Sequence, residues 1–321
     1  MDCNCTTICN VLERYYLSPF YAIEFFLGFP GNLLVVLAYI FCLQSWQSCH
    51  IYLFNLAVSD LIFLCTLPRL SYLYAKQHLQ TNSIVCVINR YVLHVNLYSS
   101  ILFMVWLSMD RFLLIKHPTR NHYLLQKQTA MIVTGLTWLA VNLQVGPMIS
   151  LLVHDMWSGN QSHCKDFASL KGNIHELGYS LGLTLTGYIL PLLALCAFSY
   201  HIAHLLQLQD RSLQRRTASY KRPLRVVLSA AAIFMILYTP YHVMRNIAIA
   251  SWQDGVEFKV CTKMYIKVMY ILSRPVAFLH SVINPIFYFF MGDKFRDLLF
   301  TKLRKLLRKT EQQRESNITS T

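Results

Sequence analysis

Three arginines lie inside strongly apolar stretches of the chain. Arg90 is followed four residues later by His94, and this spacing puts both side chains on one face of a helix. Arg245 and Arg274 lie in two later apolar stretches. A charged side chain within a membrane is costly and almost always faces a cavity or a partner. Because a planar guanidinium binds a carboxylate through two parallel hydrogen bonds, the three arginines predict a binding site for a small anion.

The apolar run that contains the first of these arginines ends in a second group of charges. It covers residues 86–118, which is long enough to cross a bilayer, since roughly 20 apolar residues suffice. Asp110 and Arg111 lie near its far end, where apolar packing does not require them. An enzyme within the membrane would need a buried nucleophile with its base, or a set of metal ligands. His201 and His204 have no carboxylate beside them, so we expect no enzyme activity, no metal site and no cofactor.

The overall composition is that of a membrane protein. The chain has 321 residues, of which 55% are hydrophobic and 14% are charged, against about 25% charged in an average soluble domain. Its net charge of +14 could indicate a nucleic-acid partner. However, 18 of the 29 lysines and arginines fall in segments 111–127, 211–225 and 294–314, which alternate with acid-containing loops at 155–176 and 254–257. This alternation follows the positive-inside rule, so we predict the lipid bilayer, and no nucleic acid, as a partner.

The apolar segments predict an all-α membrane protein with a bundle of seven transmembrane helices. An odd number of crossings places the two termini on opposite sides of the membrane. The charge rule then puts the basic carboxy terminus in the cytoplasm and the amino terminus outside the cell, in a multi-pass plasma-membrane protein. The predicted segments are Leu17–Leu43, Ile51–Ala75, Val85–Lys116, Thr129–Val153, Leu177–Leu206, Leu224–Ser251 and Met264–Met291.

The two ends of the chain differ in character from the bundle. Residues 1–16 are predicted to form an extracellular amino-terminal tail, and residues 17–291 form the predicted bundle. Residues 292–309 repeat leucine and phenylalanine at helical spacing with basic residues between them, which predicts a short amphipathic helix on the inner leaflet. A solvated charged tail is the alternative for this segment. Residues 310–321 are predicted to be a disordered cytoplasmic tail.

The ten cysteines divide between the two sides of the membrane and its interior. Asn4 and Asn160 each begin an N-glycosylation acceptor on the predicted outer side. Disulfides form on that side, where six of the cysteines lie. These are Cys3, Cys5, Cys9, Cys86, Cys164 and Cys261, whereas Cys42, Cys49, Cys65 and Cys196 are expected to be free thiols.

Seven short motifs occur in order, each in its own apolar segment. Together they resemble the rhodopsin-like (class A) family of G-protein-coupled receptors over nearly the whole chain. Within that family, stretches such as NRYVLHVNLYSSILF and TPYHVMRNIAIAS are similar to receptors for small dicarboxylates and nucleotides. The motif residues are Gly31-Asn32, Asn55–Asp60, Asp110–Phe112, Trp138, Pro191, Pro240 and Asn284–Tyr288.

The resemblance implies a receptor that transmits agonist binding to a heterotrimeric G protein, expected to be of the inhibitory class. The expected ligand is a small dicarboxylate, with succinate favoured; 2-oxoglutarate, a nucleotide or another carboxylate is the alternative. From another class, an anion carrier could use the same arginines, although the inverted repeats and broken helices of transporters are not evident. The ligand-contacting residues implied by the resemblance are Arg90, His94, Arg245, Arg274, Tyr21, Tyr74, Phe278 and Asp166.

Pairing within the protein is the alternative role for the arginines. The first and seventh helices are neighbours in the family, so Glu24 is a candidate partner for Arg274, and Asp166 is a candidate at the outer mouth. Three arginines against two acids leave a positive site, which favours anion binding. His94 alone could be a packed core histidine, but its spacing from an arginine favours a functional role. Arg69 stands where the family pattern has an apolar residue, and it faces either the cavity or the outer interface.

The resemblance also implies a switch at the inner end of the bundle. Asp110 is expected to hold Arg111 in the resting state, and Arg111 is expected to turn towards the G protein on activation. Tyr238 replaces the tryptophan that is common in the sixth helix of the family. The coupling and switch residues are Asp110, Arg111, Tyr288, Asn284, Pro285 and Tyr238.

A sodium site and two disulfides complete the expectations that come from the resemblance. Asp60 with Ser100 is expected to bind sodium, but His280 stands near the position of the usual asparagine, so a hydrogen-bonded structural carboxyl is the alternative. Cys86 is expected to bond Cys164. Cys261 then needs a partner in the amino-terminal tail, and the candidates are Cys3, Cys5 and Cys9.

Overall fold

The computed structural model describes residues 5–76, 83–119, 121–158, 174–213, 221–253 and 258–291, and within them all regular secondary structure is helical. Short π-helical turns lie at Glu13–Leu17 and Leu185–Ile189, and a 3₁₀ turn lies at Tyr123–Leu125. The α-helices are α1 (Cys5–Leu12), α2 (Ser18–Cys42), α3 (Ser48–Leu64), α4 (Leu67–Lys76), α5 (Ser83–Lys116), α6 (Lys127–Ser158), α7 (Ile174–Thr184), α8 (Leu190–Leu213), α9 (Lys221–Ser251), α10 (Val260–Phe278) and α11 (His280–Met291).

In the described part of the chain, seven helical segments are long and apolar enough to cross a membrane. The predicted seven-helix, all-α architecture is therefore confirmed. A helix suits this environment because its backbone groups bond within the segment and need no water. The segments are span 1 (Glu13–Cys42), span 2 (Ser48–Lys76), span 3 (Val87–Lys116), span 4 (Lys127–His154), span 5 (His175–Leu208), span 6 (Val227–Ser251) and span 7 (Val260–Ile286).

The bundle carries apolar side chains on its outside and polar side chains within. On span 1, Phe26 and Leu27 are 72% and 62% exposed, whereas Glu24 and Asn32 on the opposite face are buried. Asn32 donates to the carbonyl of Ser281 on span 7 at 2.8 Å, so the polar face binds a neighbouring helix. This inside-out pattern is expected when lipid surrounds the outer surface, and it directs polar chemistry into the bundle.

Two spans that the sequence predicted as continuous are interrupted. Span 2 breaks between α3 and α4 at Cys65 and Thr66, just before Pro68. Proline has no backbone N–H and is tolerated best in the first turn of a helix, which is where Pro68 lies in α4. Span 7 breaks at Leu279, four residues after Pro275. The break in span 2 therefore follows from proline chemistry, which hydropathy alone does not resolve.

The described part of the predicted amino-terminal tail is helical and continues into span 1. Cys9 on α1 is 4% exposed, and its Sγ lies 3.1 Å from the sulfur of Met264 on span 7. The hydroxyl of Tyr16 donates to the carbonyl of Leu272 at 3.0 Å. These contacts bury one side of the segment, which explains why a sequence expected to be a tail extends the helix. The predicted amphipathic helix 292–309 and the tail 310–321 lie outside the described residues.

Candidate functional site

Arg274 and Arg90 meet at a single tyrosine inside the bundle. Arg274 is 1% exposed and donates from Nη2 to the hydroxyls of Tyr21 at 3.1 Å and Tyr74 at 2.8 Å. Arg90 donates from its own Nη2 to the same Tyr74 hydroxyl at 3.4 Å. Four spans thus contribute to one cluster, which we call the span 7 pole: Tyr21 of span 1, Tyr74 of span 2, Arg90 of span 3 and Arg274 of span 7.

Arg245 forms a second centre of charge on the other side of the bundle. Its side chain is fully buried, and Nη1 donates to the hydroxyl of Tyr98 at 2.7 Å. Nη2 donates to the carbonyl of Ser180 at 3.1 Å and to Oγ1 of Thr184 at 2.9 Å. The guanidinium also lies 5.6 Å from the ring centre of Tyr241, a cation–π distance. All of these partners are uncharged, and we call Arg245 with them the span 6 pole.

His94 connects the two poles. Its Nδ1 lies 2.8 Å from the carbonyl oxygen of Arg90, and because a carbonyl only accepts, Nδ1 carries the hydrogen. In the neutral ring Nε2 then accepts from the hydroxyl of Tyr241 at 3.3 Å. Tyr241 in turn packs beneath the guanidinium of Arg245. The structure therefore brings together the three arginines and the histidine that the sequence singled out.

The other predicted ligand contacts fall in different environments. Phe278 is fully buried, and its ring centre lies 4.9 Å from that of Phe63 and 6.3 Å from that of Tyr241. It therefore packs in the core directly below the span 6 pole. Arg69 is exposed on α4, so its charge points away from both poles. Asp166 lies outside the described residues.

Glu24, which the alternative role of the arginines offered as a candidate partner for Arg274, does not pair with it. Glu24 is 1% exposed, and neither of its carboxyl oxygens has a hydrogen-bond partner among the described residues. Instead, Nη2 of Arg274 donates to the hydroxyls of Tyr21 and Tyr74. The physical reason is that Tyr21 precedes Glu24 by about one helical turn and lies at the depth of the guanidinium.

The sequence reading missed Tyr98 and His242. Tyr98 follows Arg90 and His94 at a repeated spacing of four residues, which would have placed it on the same face of span 3. The ring of Tyr98 fits against span 5 because residue 187 is glycine: a Cβ there would lie 2.4 Å from two of its ring carbons. His242 precedes Arg245 by three residues and is fully buried.

Asp60 is the centre of a polar cluster deeper in the bundle. Its Oδ1 accepts from Asn96 at 2.9 Å, Ser281 at 3.0 Å and Ser100 at 3.3 Å, and its Oδ2 accepts from Asn284 at 2.7 Å. Donors of the protein thus occupy both carboxylate oxygens.

The sodium ion that the resemblance implied at Asp60 and Ser100 stays a prediction. The imidazole Nε2 of His280 lies 3.6 Å from Oδ1 of Asp60, and a hard cation prefers oxygen ligands to a ring nitrogen. Tyr238 packs against this imidazole with ring centres 5.4 Å apart. The described contacts are those of a hydrogen-bonded structural carboxyl, the alternative that the sequence left open.

At the carboxy-terminal end of span 3, residues from the start of span 2 lie beside both charges of the predicted switch. The hydroxyl of Ser48 donates to Oδ1 of Asp110. The adjacent Cys49 lies near the guanidinium of Arg111. The Nε atom of Arg111 is buried and has no hydrogen-bond partner among the described residues. The structure does not describe the side chain of Tyr288, so its role in the switch stays a prediction.

The described cysteines reduce the number of possible disulfide partners for Cys261. Cys42, Cys65 and Cys196 are free thiols, as predicted. Cys9 is also a thiol, which leaves Cys3 and Cys5 as candidate partners for Cys261. Cys3 and Cys164 lie outside the described residues, as do the acceptors Asn4 and Asn160, and nothing is described of the Cys86 side chain. The Cys86–Cys164 bond therefore stays a prediction.

Comparison with known families identifies the class of the protein. Residues 31–288 match the model of the 7 transmembrane receptor (rhodopsin family), which covers most of the chain, so the chain belongs to that family. It is a multi-pass plasma-membrane receptor that couples a small-molecule ligand to a G protein, and not an enzyme. Succinate receptor 1 of Rattus norvegicus is 47% identical over 301 residues, 92% of each chain. That of Mus musculus is 47% identical over 300 residues, again 92% of each.

A second group of relatives, the purinoceptors, is more distant. Purinoceptor 1 of Homo sapiens is 29% identical to this chain over 310 residues, which cover 95% of this chain and 81% of the relative.

Proposed function

We propose that this receptor is activated by succinate and passes the signal to a heterotrimeric G protein of the inhibitory class. The observation that carries the proposal is the environment of Arg245. Its guanidinium is fully buried, and its hydrogen-bond partners among the described residues are a phenol, a hydroxyl and a backbone carbonyl, none of them charged. A buried charge without a counter-charge is strongly destabilising, and an anionic ligand would supply that counter-charge.

The two poles favour a ligand with two anionic groups. One carboxylate would meet Arg274 and Arg90 at the span 7 pole, and the other would meet Arg245 at the span 6 pole. A hydrogen bond to a charged group contributes about 1.5–3 kcal/mol, so loss of one carboxylate should weaken the ligand about 10- to 100-fold. The names of the more similar relatives support succinate as this diacid.

A nucleotide is the second candidate, because the purinoceptor relatives share 29% identity with the chain. Phosphate groups also bind arginine through paired hydrogen bonds. The three arginines are only 6%, 0% and 1% exposed, for Arg90, Arg245 and Arg274 respectively. Such close packing favours a compact diacid over a ligand that carries a base and a sugar.

The proposed orientation places residues 1–16 outside the cell and the carboxy-terminal tail in the cytoplasm. The arginine poles then face the outside, and Arg111 faces the G protein. Arg90 and Arg111 lie on the same helix, α5, about 32 Å apart at the usual rise per residue. A diacid that draws span 6 towards spans 3 and 7 would move the helix about Pro240, which lies inside α9, and so change the inner face.

Guanine-nucleotide exchange on purified receptor with an inhibitory-class G protein tests the proposal. Succinate should stimulate exchange, and monomethyl succinate should be about 10- to 100-fold less potent. Arg245→Ala and Arg274→Ala should lose the response, whereas Arg69→Ala, which removes an exposed arginine from span 2, should keep it. Unchanged potency in both buried-arginine variants would show that these side chains are structural.

Three further measurements separate the alternatives. Adenosine diphosphate and 2-oxoglutarate should be assayed in parallel with succinate. If either compound were more potent than succinate, it would be the agonist instead. Uptake of labelled succinate into vesicles without nucleotide exchange would instead identify an anion carrier. A cyclic-AMP assay in cells tests the inhibitory class, which predicts a fall in cyclic AMP.

A further inference from the structure

One face of span 4 carries a regular row of uncovered side chains. Its members recur every three and four residues, which is the heptad spacing of helices that pack against each other along their length. Ile132 and Leu139 are 64% and 55% exposed, and Asn142 is exposed as well. Val141 and Val145 are buried on the other side of the helix, since span 4 packs mainly against spans 2 and 3. The row, which we call the span 4 seam, consists of the exposed or half-exposed residues Ile132, Gly135, Leu139, Asn142, Gly146 and Ile149.

Asn142 places a polar amide in the middle of this otherwise apolar surface. It lies about 22 Å along the helix from Lys127 and about 18 Å from His154, the two ends of span 4. The hydrocarbon at the centre of a bilayer offers neither hydrogen-bond donors nor acceptors. An exposed amide at this depth is therefore costly unless another protein surface covers it.

The contacts within the chain use only part of the hydrogen-bonding capacity of this amide. The Nδ2 atom of Asn142 donates to the backbone carbonyl of Trp138 at 2.6 Å, and Oδ1 accepts from the hydroxyl of Tyr91. A primary amide has two N–H donors and an oxygen with two lone pairs. Among the described contacts, one donor and one acceptor of an exposed group therefore remain for a partner.

Gly135 and Gly146 leave room for a second helix on both sides of Asn142. A Cβ on either glycine would have no heavy atom of the described residues within 4 Å. Small residues at such positions allow two helix backbones to approach closely in a membrane. The seam therefore lets another helix come near enough to reach the asparagine amide.

A second copy of the chain is the partner that fits this surface. Copies of one membrane protein share the same orientation, so a two-fold axis along the membrane normal brings the two Asn142 side chains together at equal depth. The partial positive charge of the remaining N–H in one copy then meets the partial negative charge of the remaining lone pair in the other, and the reverse. The heptad spacing suits the crossing angle of about 20° at which parallel helices stay in contact over several turns.

We propose that the span 4 seam is the interface of a homodimer, in which the Asn142 amides of two copies hydrogen-bond each other across a two-fold axis. The seam lies on the outside of the bundle, whereas both arginine poles lie within it. The inference therefore goes beyond the proposed function and does not rest on the identity of the agonist.

Resonance energy transfer between donor- and acceptor-labelled full-length receptors in phosphatidylcholine vesicles measures the association. The wild type should associate, and Asn142→Leu should weaken the association about 3- to 30-fold, the range for interhelical hydrogen bonds in membranes. Tyr91→Phe removes an intramolecular bond of the same amide but keeps the amide itself, so it should not weaken the association. A monomeric wild type, or an Asn142→Leu variant that associates as well as the wild type, would overturn the proposal.

Enlarging a glycine tests the close approach of the two helices. Gly146→Leu should hold the two copies of span 4 apart and abolish the association. Gly182→Leu is the matched control, because Gly182 is an exposed glycine of span 5 and likewise has no described atom within 4 Å of a Cβ. If Gly182→Leu dissociates the receptor and Gly146→Leu does not, the copies meet through span 5 and the proposal is wrong.

Disulfide cross-linking tests the register and does not depend on a loss of association. Leu139→Cys introduces a thiol on the seam, one turn before Asn142, and oxidation should link the two copies. Ala140→Cys introduces an exposed thiol one residue further along, which points about 100° away from the first. This variant should not exceed the background of the wild type, whose Cys65 and Cys196 are exposed thiols. Equal cross-linking of the two variants, or none above background, would refute the interface.

Discussion

The hydroxyl of Tyr74 accepts hydrogen bonds from two guanidinium groups, from Arg274 at 2.8 Å and from Arg90 at 3.4 Å. The two arginines come from spans 7 and 3, and the tyrosine comes from span 2. One neutral oxygen therefore fixes the positions of two like charges on different helices. This arrangement keeps both cations at the depth where an anion could bridge them.

Removing that hydroxyl should weaken the agonist. Tyr74→Phe leaves the ring in place but takes a shared acceptor from both guanidinium groups, so succinate potency should fall about tenfold or more in the exchange assay. Tyr72→Phe is the matched control, since this tyrosine of the same helix is 60% exposed. If the two variants behave alike, Tyr74 does not organise the arginines.

The sequence was sufficient to predict which charges meet, but not which groups hold them. The four-residue spacing of Arg90 and His94 gave a common helix face, and the motifs put the other two arginines at a similar depth. Glu24 was a candidate partner for Arg274 because spans 1 and 7 are neighbours, yet Tyr21, one turn earlier in span 1, accepts the bond. Spacing along one helix fixes a face, whereas the partner across a helix interface depends on tilt and on small residues that spacing does not reveal.

Gly187 is such a small residue, and enlarging it should disturb a distant arginine. A Cβ on Gly187 would lie 2.4 Å from the ring of Tyr98, so Gly187→Ala should displace that ring and the hydroxyl bonded to Arg245. We expect a loss of succinate potency and a destabilisation of about 1–3 kcal/mol, which is usual for overpacking. Radioligand binding and thermal unfolding would measure the two effects.

Gly182→Ala is the control for this change. It introduces the same methyl group in the same span, but a Cβ there has nothing within 4 Å. Alanine also has the better helix propensity, by about 0.5–1 kcal/mol, so this variant should be as stable as the wild type or more so. Equal effects of the two substitutions would show that the close approach of Tyr98 to Gly187 does not cause the loss of potency.

Ser48 should restrain signalling in the absence of agonist. Its hydroxyl donates to Asp110, and the neighbouring Cys49 lies near the guanidinium of Arg111, so the start of span 2 lies beside both charges. Ser48→Ala should shift the resting-to-active equilibrium about tenfold towards the active state and raise basal nucleotide exchange. Ser108→Ala removes a hydroxyl that donates only to the backbone of its own helix and should leave basal exchange unchanged.

Arg111→Ala should abolish coupling while succinate still binds, because the arginine poles lie at the other end of span 3. Nucleotide exchange and ligand binding, measured on the same preparation, separate the two functions. Full coupling by this variant would refute the proposed role of Arg111.

The thiol of Cys9 should react slowly with alkylating agents. Burial raises the pKa of the Cys9 thiol, and the nearby Lys267 offsets this only in part. Because the thiolate is the reactive form, labelling by iodoacetamide should be slow near neutral pH and should accelerate as the pH rises above the ordinary range of a cysteine.

Peptide mapping without reduction would show directly which cysteines are thiols and which form disulfides. It should find Cys9 as a thiol, Cys86 bonded to Cys164, and Cys261 bonded to Cys3 or Cys5. A disulfide at Cys9 would contradict the contact between its sulfur and that of Met264.

Sodium should not stabilise the folded receptor, although the Asp60 carboxylate lies where the family resemblance implied a sodium ion. Four protein donors already bond its oxygens, and the imidazole of His280 lies 3.6 Å from Oδ1. A ligand that binds only the folded state raises the unfolding temperature, so the wild type should unfold at the same temperature in sodium chloride and in choline chloride of equal concentration. His280→Asn replaces the ring nitrogen by a smaller side chain with an oxygen ligand, and it should gain a rise in unfolding temperature that is specific to sodium. A sodium-specific rise already present in the wild type would show that the ion displaces a protein donor from Asp60, and that His280 does not stand in its way.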